Sequence, residues 1–109
     1  MKTPKVLSGT PASKGEIEGV TRVIIDETQF SDFKPGEILV TRQTNPAWTP
    51  LFAAASGVVT EIGGALSHAA IVAREYGIPA VVGVNQAAKM IKTGQRIKIN
   101  GQSGKIYFS

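Results

Sequence analysis

The sequence predicts a mixed α/β fold with a central sheet covered by helices, and three observations carry that expectation. Seven short runs rich in Val, Ile, Leu and Thr alternate with turn signals along 109 residues. Between them lie two stretches whose apolar residues recur at helical spacing. Apolar content of 42% with 18% charged residues describes a chain that folds around one modest core, and with aromatics at only 6% that core is mostly aliphatic. The length suits one domain spanning residues 1–109, and no repeat, linker or low-complexity segment divides it.

In chain order, the β-type runs are KVLSG (5–9), GVTRVII (19–25), EILVTR (37–42), GVVTEI (57–62), AVVGV (80–84), QRIKI (95–99) and KIYF (105–108). Pro35-Gly36, Thr93-Gly94 and Asn100-Gly101 have the turn chemistry that separates strands. The last pair sits between two alternating runs and predicts an antiparallel hairpin at the C-terminal end. Helices are expected over 48–55, after the Asn45-Pro46 breaker, and over 67–76, where Gly77 and Pro79 end the pattern. A shorter third helix is expected over 86–91.

Twelve Lys and Arg against eight Asp and Glu give a formal charge of +4, spread from Lys2 to Lys105 rather than gathered in a block. No basic run is interleaved with aromatics, which argues against a nucleic-acid partner. Absence of cysteine excludes a disulfide framework and a thiol nucleophile. The opening MKTPKVLSGTPASKG has no apolar signal core, and no stretch approaches the roughly 18–20 apolar residues of a membrane span. A cytoplasmic protein with no membrane partner is expected.

The chemistry concentrates in EIGGALSHAAIVAREYGIPAVVG (61–83), which holds the chain's one histidine. Gly63 and Gly64 allow a sharp turn and let a ligand approach their amides. Ser67 is placed to cap the helix that follows, which puts His68 at its first position. The positive end of the helix dipole disfavours an imidazolium there and favours a bound anion. A neutral imidazole is a nucleophile, so this local arrangement suits a histidine that accepts a phosphoryl group held by helix-terminal amides, the glycine turn and the Ser67 hydroxyl.

Other chemistries fit less well. A metal site is not expected, because His68 has no second His or Cys and its nearest carboxylates in sequence are Glu61 and Glu75. A serine-hydrolase reading fails, since Ser67 and His68 are adjacent and ALSHA is not a G-x-S-x-G elbow. On position alone, a lone histidine at a helix start is more often a solvated or hydrogen-bonded surface residue, and the glycine pair reads also as a simple strand-to-helix turn. There is no Walker A sequence and no kinase glycine loop, so the chain is not expected to be a self-sufficient kinase.

The run GGALSHAAIVAREYGIPAVVG resembles, without a gap, the phosphohistidine signature of the PEP-utilising enzymes, among them phosphoenolpyruvate synthase, pyruvate phosphate dikinase and rifampicin phosphotransferase. TNPAWTPLFAAASGVVTEIGG is similar to the approach to that histidine, and GTPASKGEIEG and GQRIKINGQSGKIYF resemble the two ends of the family's mobile domain. The resemblance implies a swivelling β/β/α domain in which His68 accepts a phosphoryl group at one active site and carries it to another. Gly63, Gly64 and Ser67 are the phosphate-contacting candidates that go with it. It also implies that no cofactor binds to this domain itself. ATP or phosphoenolpyruvate, with Mg2+, is expected at partner domains, an ATP-grasp nucleotide-binding domain and a phosphoenolpyruvate, pyruvate or other acceptor domain.

The alternative expectation is a stand-alone swivelling domain that serves as a regulatory or interaction module without a phosphoryl cycle. A weaker one is a hydratase-like assembly using the same scaffold. Many relatives carry Thr two residues before the histidine, where this chain has Leu66, so regulation by phosphorylation of that hydroxyl is excluded. Among the remaining polar residues, Thr41, Arg42, Thr44 and Thr60 are expected near strand ends and can line the site. Arg74 falls about 120° around the helix from His68 and is expected in an ion pair instead. Glu61 is expected either to orient the imidazole or to be solvated, and Trp48 to be a core aromatic.

Overall fold

Three largely apolar runs that bury every residue form the centre of the molecule. In the computed structural model, which describes residues 6–109, these are β4 (Ile38–Thr41), β5 (Gly57–Thr60) and β6 (Ala80–Val82). They lie parallel, as strands covered on both faces commonly do. Their register stacks Leu39, Val58 and Ala80 in one row and Val40, Val59 and Val81 in the next. Alternation then sends the two rows to opposite faces and into two separate cores.

The first core joins the Leu39 row to two helices, α1 (Thr49–Ala54) and α2 (His68–Tyr76), through Leu51, Phe52, Ala69, Ala70, Val72 and Ala73. The second joins the Val40 row to Ile97 and Ile99 of β7 (Arg96–Asn100) and Ile106 of β8 (Lys105–Phe108), with Ala87 of the short helix α3 (Ala87–Met90) and Ile91 beside them. The result is a three-layer β/β/α arrangement, in agreement with the expected fold class.

The long strand β3 (Glu16–Val23) links the two strand layers. Its first part, Glu16 to Val20, pairs antiparallel with β7, and its last three residues pair parallel with β4. The pairing order is β1-β8-β7-β3-β4-β5-β6-β2, with β1 (Val6–Ser8) and β2 (Thr10–Ser13) at opposite ends. Only Gly9 separates those two in the chain, so the segment closes the strand layers around the second core. Gly9 donates its amide to the Gly104 carbonyl at 2.8 Å, and a Cβ on it would lie 2.6 Å from the Val82 carbonyl oxygen.

Several sequence expectations shift here. The expected run 5–9 becomes β1, with Lys5 outside the described residues. The run 19–25 begins earlier, at Glu16, because its first residues find β7. β2 was not expected: TPAS has no β-branched run, and its Pro11 fits only a strand at the end of the pairing order. The helix expected over 48–55 forms as a 3-10 turn, Pro46–Trp48, running into α1. A second 3-10 segment, Glu27–Asp32, was also unexpected, although the Asp26/Gln29 capping box that starts it is legible in the sequence. The C-terminal hairpin is antiparallel as expected, with the Asn100 side chain accepting from the Gln102 and Ser103 amides. Among the described residues no helix is long and apolar enough to cross a membrane.

Candidate functional site

The loops after β4, β5 and β6 gather at the C-terminal edge of the parallel strands, where open α/β sheets place their ligands. Beyond β5 the ladder continues for two residues, with the Glu61 and Ile62 amides donating to the Thr41 and Arg42 carbonyls. Gly63 then turns the chain at φ 128°, in the region that favours glycine, and a Cβ there would lie 2.8 Å from Ser67 Oγ. A Cβ on Gly64 would meet nothing within 4 Å, so only the first glycine of the pair is required by geometry.

Ser67 caps α2 as the sequence predicts. Its hydroxyl accepts from the Ala70 amide at 3.5 Å and donates to the Gly64 carbonyl at 2.8 Å. His68 therefore occupies the first helical position, half-buried in a cleft of about 200 Å³ lined by Gln43, Thr44, Ile62, Gly63, Ser67 and Ala69. Leu66 is 84% exposed beside that cleft.

Both imidazole nitrogens meet a threonine hydroxyl. Thr44 Oγ1 lies 2.7 Å from Nδ1 and Thr49 Oγ1 lies 3.4 Å from Nε2. Phe52, three residues along α1 from Thr49 and so on the same helix face, packs edge-on to the ring with centroids 5.9 Å apart. Burial holds the imidazole pKa below its ordinary value, and the carboxylate of Glu75 only partly opposes this. The group is thus disposed to be neutral at pH 7, which a nucleophile requires.

That shift has a checkable sign. Because the folded pKa is depressed, the unfolded chain takes up the proton first as pH falls. Stability from this site is fully present above the unfolded value near 6.5 and declines as pH drops from there toward the folded pKa. Urea midpoints measured between pH 8 and pH 5 are expected to fall more in the wild type than in His68→Gln. Equal slopes would contradict the assignment.

The other polar candidates divide. Thr44 reaches the site, whereas Thr60 donates to the Ile62 carbonyl and shapes the turn, and Thr41 is buried with its hydroxyl unpaired among the described residues. Glu61 takes neither expected role: its carboxylate accepts from the Ala88 amide at 2.9 Å and pairs with Arg42 at 3.5 Å, tying α3 to the β4 loop. Arg74 corrects the expected ion pair, since its guanidinium donates to the carbonyls of Ala12 and Ala65 at 2.8 and 2.7 Å. In that position it braces the glycine turn against β2. Trp48 is core, edge-on to Phe30 at 4.9 Å. Thr49 and Phe52 were not singled out from the sequence, and no local pattern marks them. Among the described residues no three His, Cys, Asp or Glu side chains come together as a metal site would need.

The chain is similar to several known proteins. The chain is 55% identical over 98 residues, 90% of its length, to a rifampicin phosphotransferase of Bacillus subtilis (strain 168). It is 46% identical over 104 residues, 94% of its length, to a probable phosphoenolpyruvate synthase of Staphylothermus marinus. It spans only 11% and 12% of those two relatives. Aconitase X of Thermococcus kodakaraensis shares the fold, with a TM-score of 0.70 over 95% of this chain and 98% of that one at 19% identity. A structure of Enzyme I matches 72% of this chain and 33% of its own, at 31% identity and a TM-score of 0.63. The family described as "PEP-utilising enzyme, mobile domain" matches residues 33–104, a span that holds the strand-end cleft, both threonines and His68. With two thirds of the chain matched and half its residues shared with phosphotransferases, the chain belongs to the PEP-utilising enzyme mobile domain family.

Proposed function

We propose that this chain is a phosphoryl carrier in which His68 accepts a phosphoryl group at one partner domain and delivers it at another. The observation that carries this reading is the imidazole itself, with Nδ1 2.7 Å from the Thr44 hydroxyl and its pKa lowered by burial. When Nδ1–H donates to Thr44 Oγ1, the ring is in the tautomer whose lone pair lies on Nε2. Nε2 attacks phosphorus as the bond to the leaving oxygen breaks, and that oxygen departs with the electron pair. The proton stays on Nδ1, shared with Thr44, and the negative phosphoryl group offsets the charge left on the ring.

The donor is ATP or phosphoenolpyruvate held with Mg2+ by a partner domain, ATP-grasp in the nucleotide case, and the acceptor is pyruvate, water or an alcohol hydroxyl in another. Gly63 and the start of α2, at Ser67, His68 and Ala69, line the same cleft, and the unpaired amides of a helix start suit a bound anion. The Ser67 hydroxyl is already committed to the cap, so its part is to hold His68 in place rather than to bind phosphate directly.

The test is intact mass at alkaline pH after incubation with a lysate of the source cells and either ATP or phosphoenolpyruvate. An acid-labile gain of one phosphate supports the carrier, and the effective donor names the class of the upstream partner. If the chain stays unmodified while a full-length relative is labelled in the same lysate, the carrier reading fails and an interaction module without a phosphoryl cycle takes its place.

Thr44→Val should slow labelling by roughly tenfold, about the worth of one buried hydrogen bond that orders the tautomer. Imidazole 15N shifts should show a larger share of the Nε2–H form. Unchanged tautomer populations would remove Thr44 from the mechanism.

A further inference from the structure

The carrier reading leaves one polar atom at the ring without a role, the Thr49 hydroxyl. It lies 3.4 Å from Nε2, long for a hydrogen bond with a hydroxyl and far weaker than the 2.7 Å contact on the other side of the ring. A contact of that length does little to orient an imidazole that Thr44 and Phe52 already hold. Its position is nevertheless well defined. Asn45 caps the Pro46–Trp48 turn, the Thr49 amide donates to the Pro46 carbonyl, and the backbone at Thr49 is helical at φ −51° and ψ −39°. One turn of α1 then presents Thr49 and Phe52 together to the ring.

When a phosphoryl group bonds to Nε2, its oxygens surround that nitrogen, and a hydroxyl already 3.4 Å away is placed among them. We infer that Thr49 is a phosphoryl-contacting residue: its hydroxyl gives up Nε2 and donates to a phosphoryl oxygen as the N–P bond forms, and it holds the phosphohistidine afterwards. This rests on the carrier reading and adds to it a second threonine with a different task. Thr44 sets which nitrogen attacks; Thr49 stabilises the charge on the group transferred. Neither proton nor electron pair passes through Thr49. Nε2 supplies the pair for the new bond, the leaving group departs with the old one, and the hydroxyl proton stays on Oγ1 while it changes acceptor. The contact also gives α1 a stake in the chemistry.

The test uses potassium phosphoramidate, a small phosphoryl donor that needs no partner domain, on the wild type, Thr49→Val, Thr49→Ser and His68→Gln. Phosphohistidine formation is followed by intact mass at alkaline pH, and thermal melts are recorded in parallel. Thr49→Val, which keeps the shape and loses the hydroxyl, is expected to label about tenfold more slowly, and Thr49→Ser to stay within about threefold of the wild type, the range one hydrogen bond to a charged group supports. Wild-type 15N tautomer populations should persist in Thr49→Val, unlike Thr44→Val. Labelling of Thr49→Val at the wild-type rate overturns the role of Thr49 and leaves the carrier intact. Thr49→Ser as slow as Thr49→Val assigns the residue to packing and overturns it equally. A wild type that phosphoramidate does not label at all, with a histidine peptide labelled alongside, overturns the carrier reading and this inference together.

Discussion

His68→Gln is expected to lose phosphorylation completely while keeping the fold. A glutamine amide can still exchange hydrogen bonds with Thr44, and the ring it replaces is only half-buried, so no large cavity forms. What it lacks is a nitrogen lone pair free to attack phosphorus, because that of an amide is delocalised into its carbonyl. Intact mass at alkaline pH, with donor and lysate as above, should show one acid-labile phosphate on the wild type and none on the variant, with melting temperatures close together. A phosphate that persists on His68→Gln would move the acceptor to another residue, with Ser67 and the two threonines of the cleft the first to examine.

Phe52→Ala is expected to be the most destabilising of the single changes considered. Phe52 is 1% exposed, lies in the core between the parallel strands and the helices, and supports the imidazole edge-on. Truncating a buried phenylalanine costs about 3–5 kcal/mol through lost transfer energy and the cavity left behind. For a domain of this size that corresponds to a melting temperature lower by about 10–20 °C. Phe52→Leu keeps most of the volume and should cost less than about 1.5 kcal/mol. It removes the aromatic edge, however, so its labelling rate should fall by more than its stability does. If Phe52→Leu labels as fast as the wild type, Phe52 acts on the site only through general packing.

The parts of this protein that were legible in its sequence are those set by neighbours in the chain. Ser67 as cap, His68 at the helix start and Gly77 as terminator all follow from hydrogen bonds and backbone angles within a few residues. The largely apolar β4, β5 and β6 could be read for the same reason, as could the hairpin after Asn100, and the resemblance to a phosphohistidine domain rested on contiguous motifs, chief among them the one around His68. β2 was illegible because nothing in TPAS favours a strand until β6 lies beside it. The fate of Arg74 was misread for a related reason: helical spacing excluded it from the phosphate face, but the two carbonyls it holds belong to β2 and to the glycine turn.

The placement of the imidazole, at the first position of a capped helix and beside the glycine turn, thus comes from residues 63–70. Its surroundings come from farther away. Thr44 and Thr49 stand 24 and 19 residues before His68, and they reach its two nitrogens only because β4 and β5 pair in parallel and bring the loops that follow them to one edge of the sheet. A cap is a matter of a few consecutive torsions, which residue types bias directly. A side chain's distance to a ring two elements away depends on register, twist and core packing summed over the whole sheet, and no short stretch of sequence carries that sum.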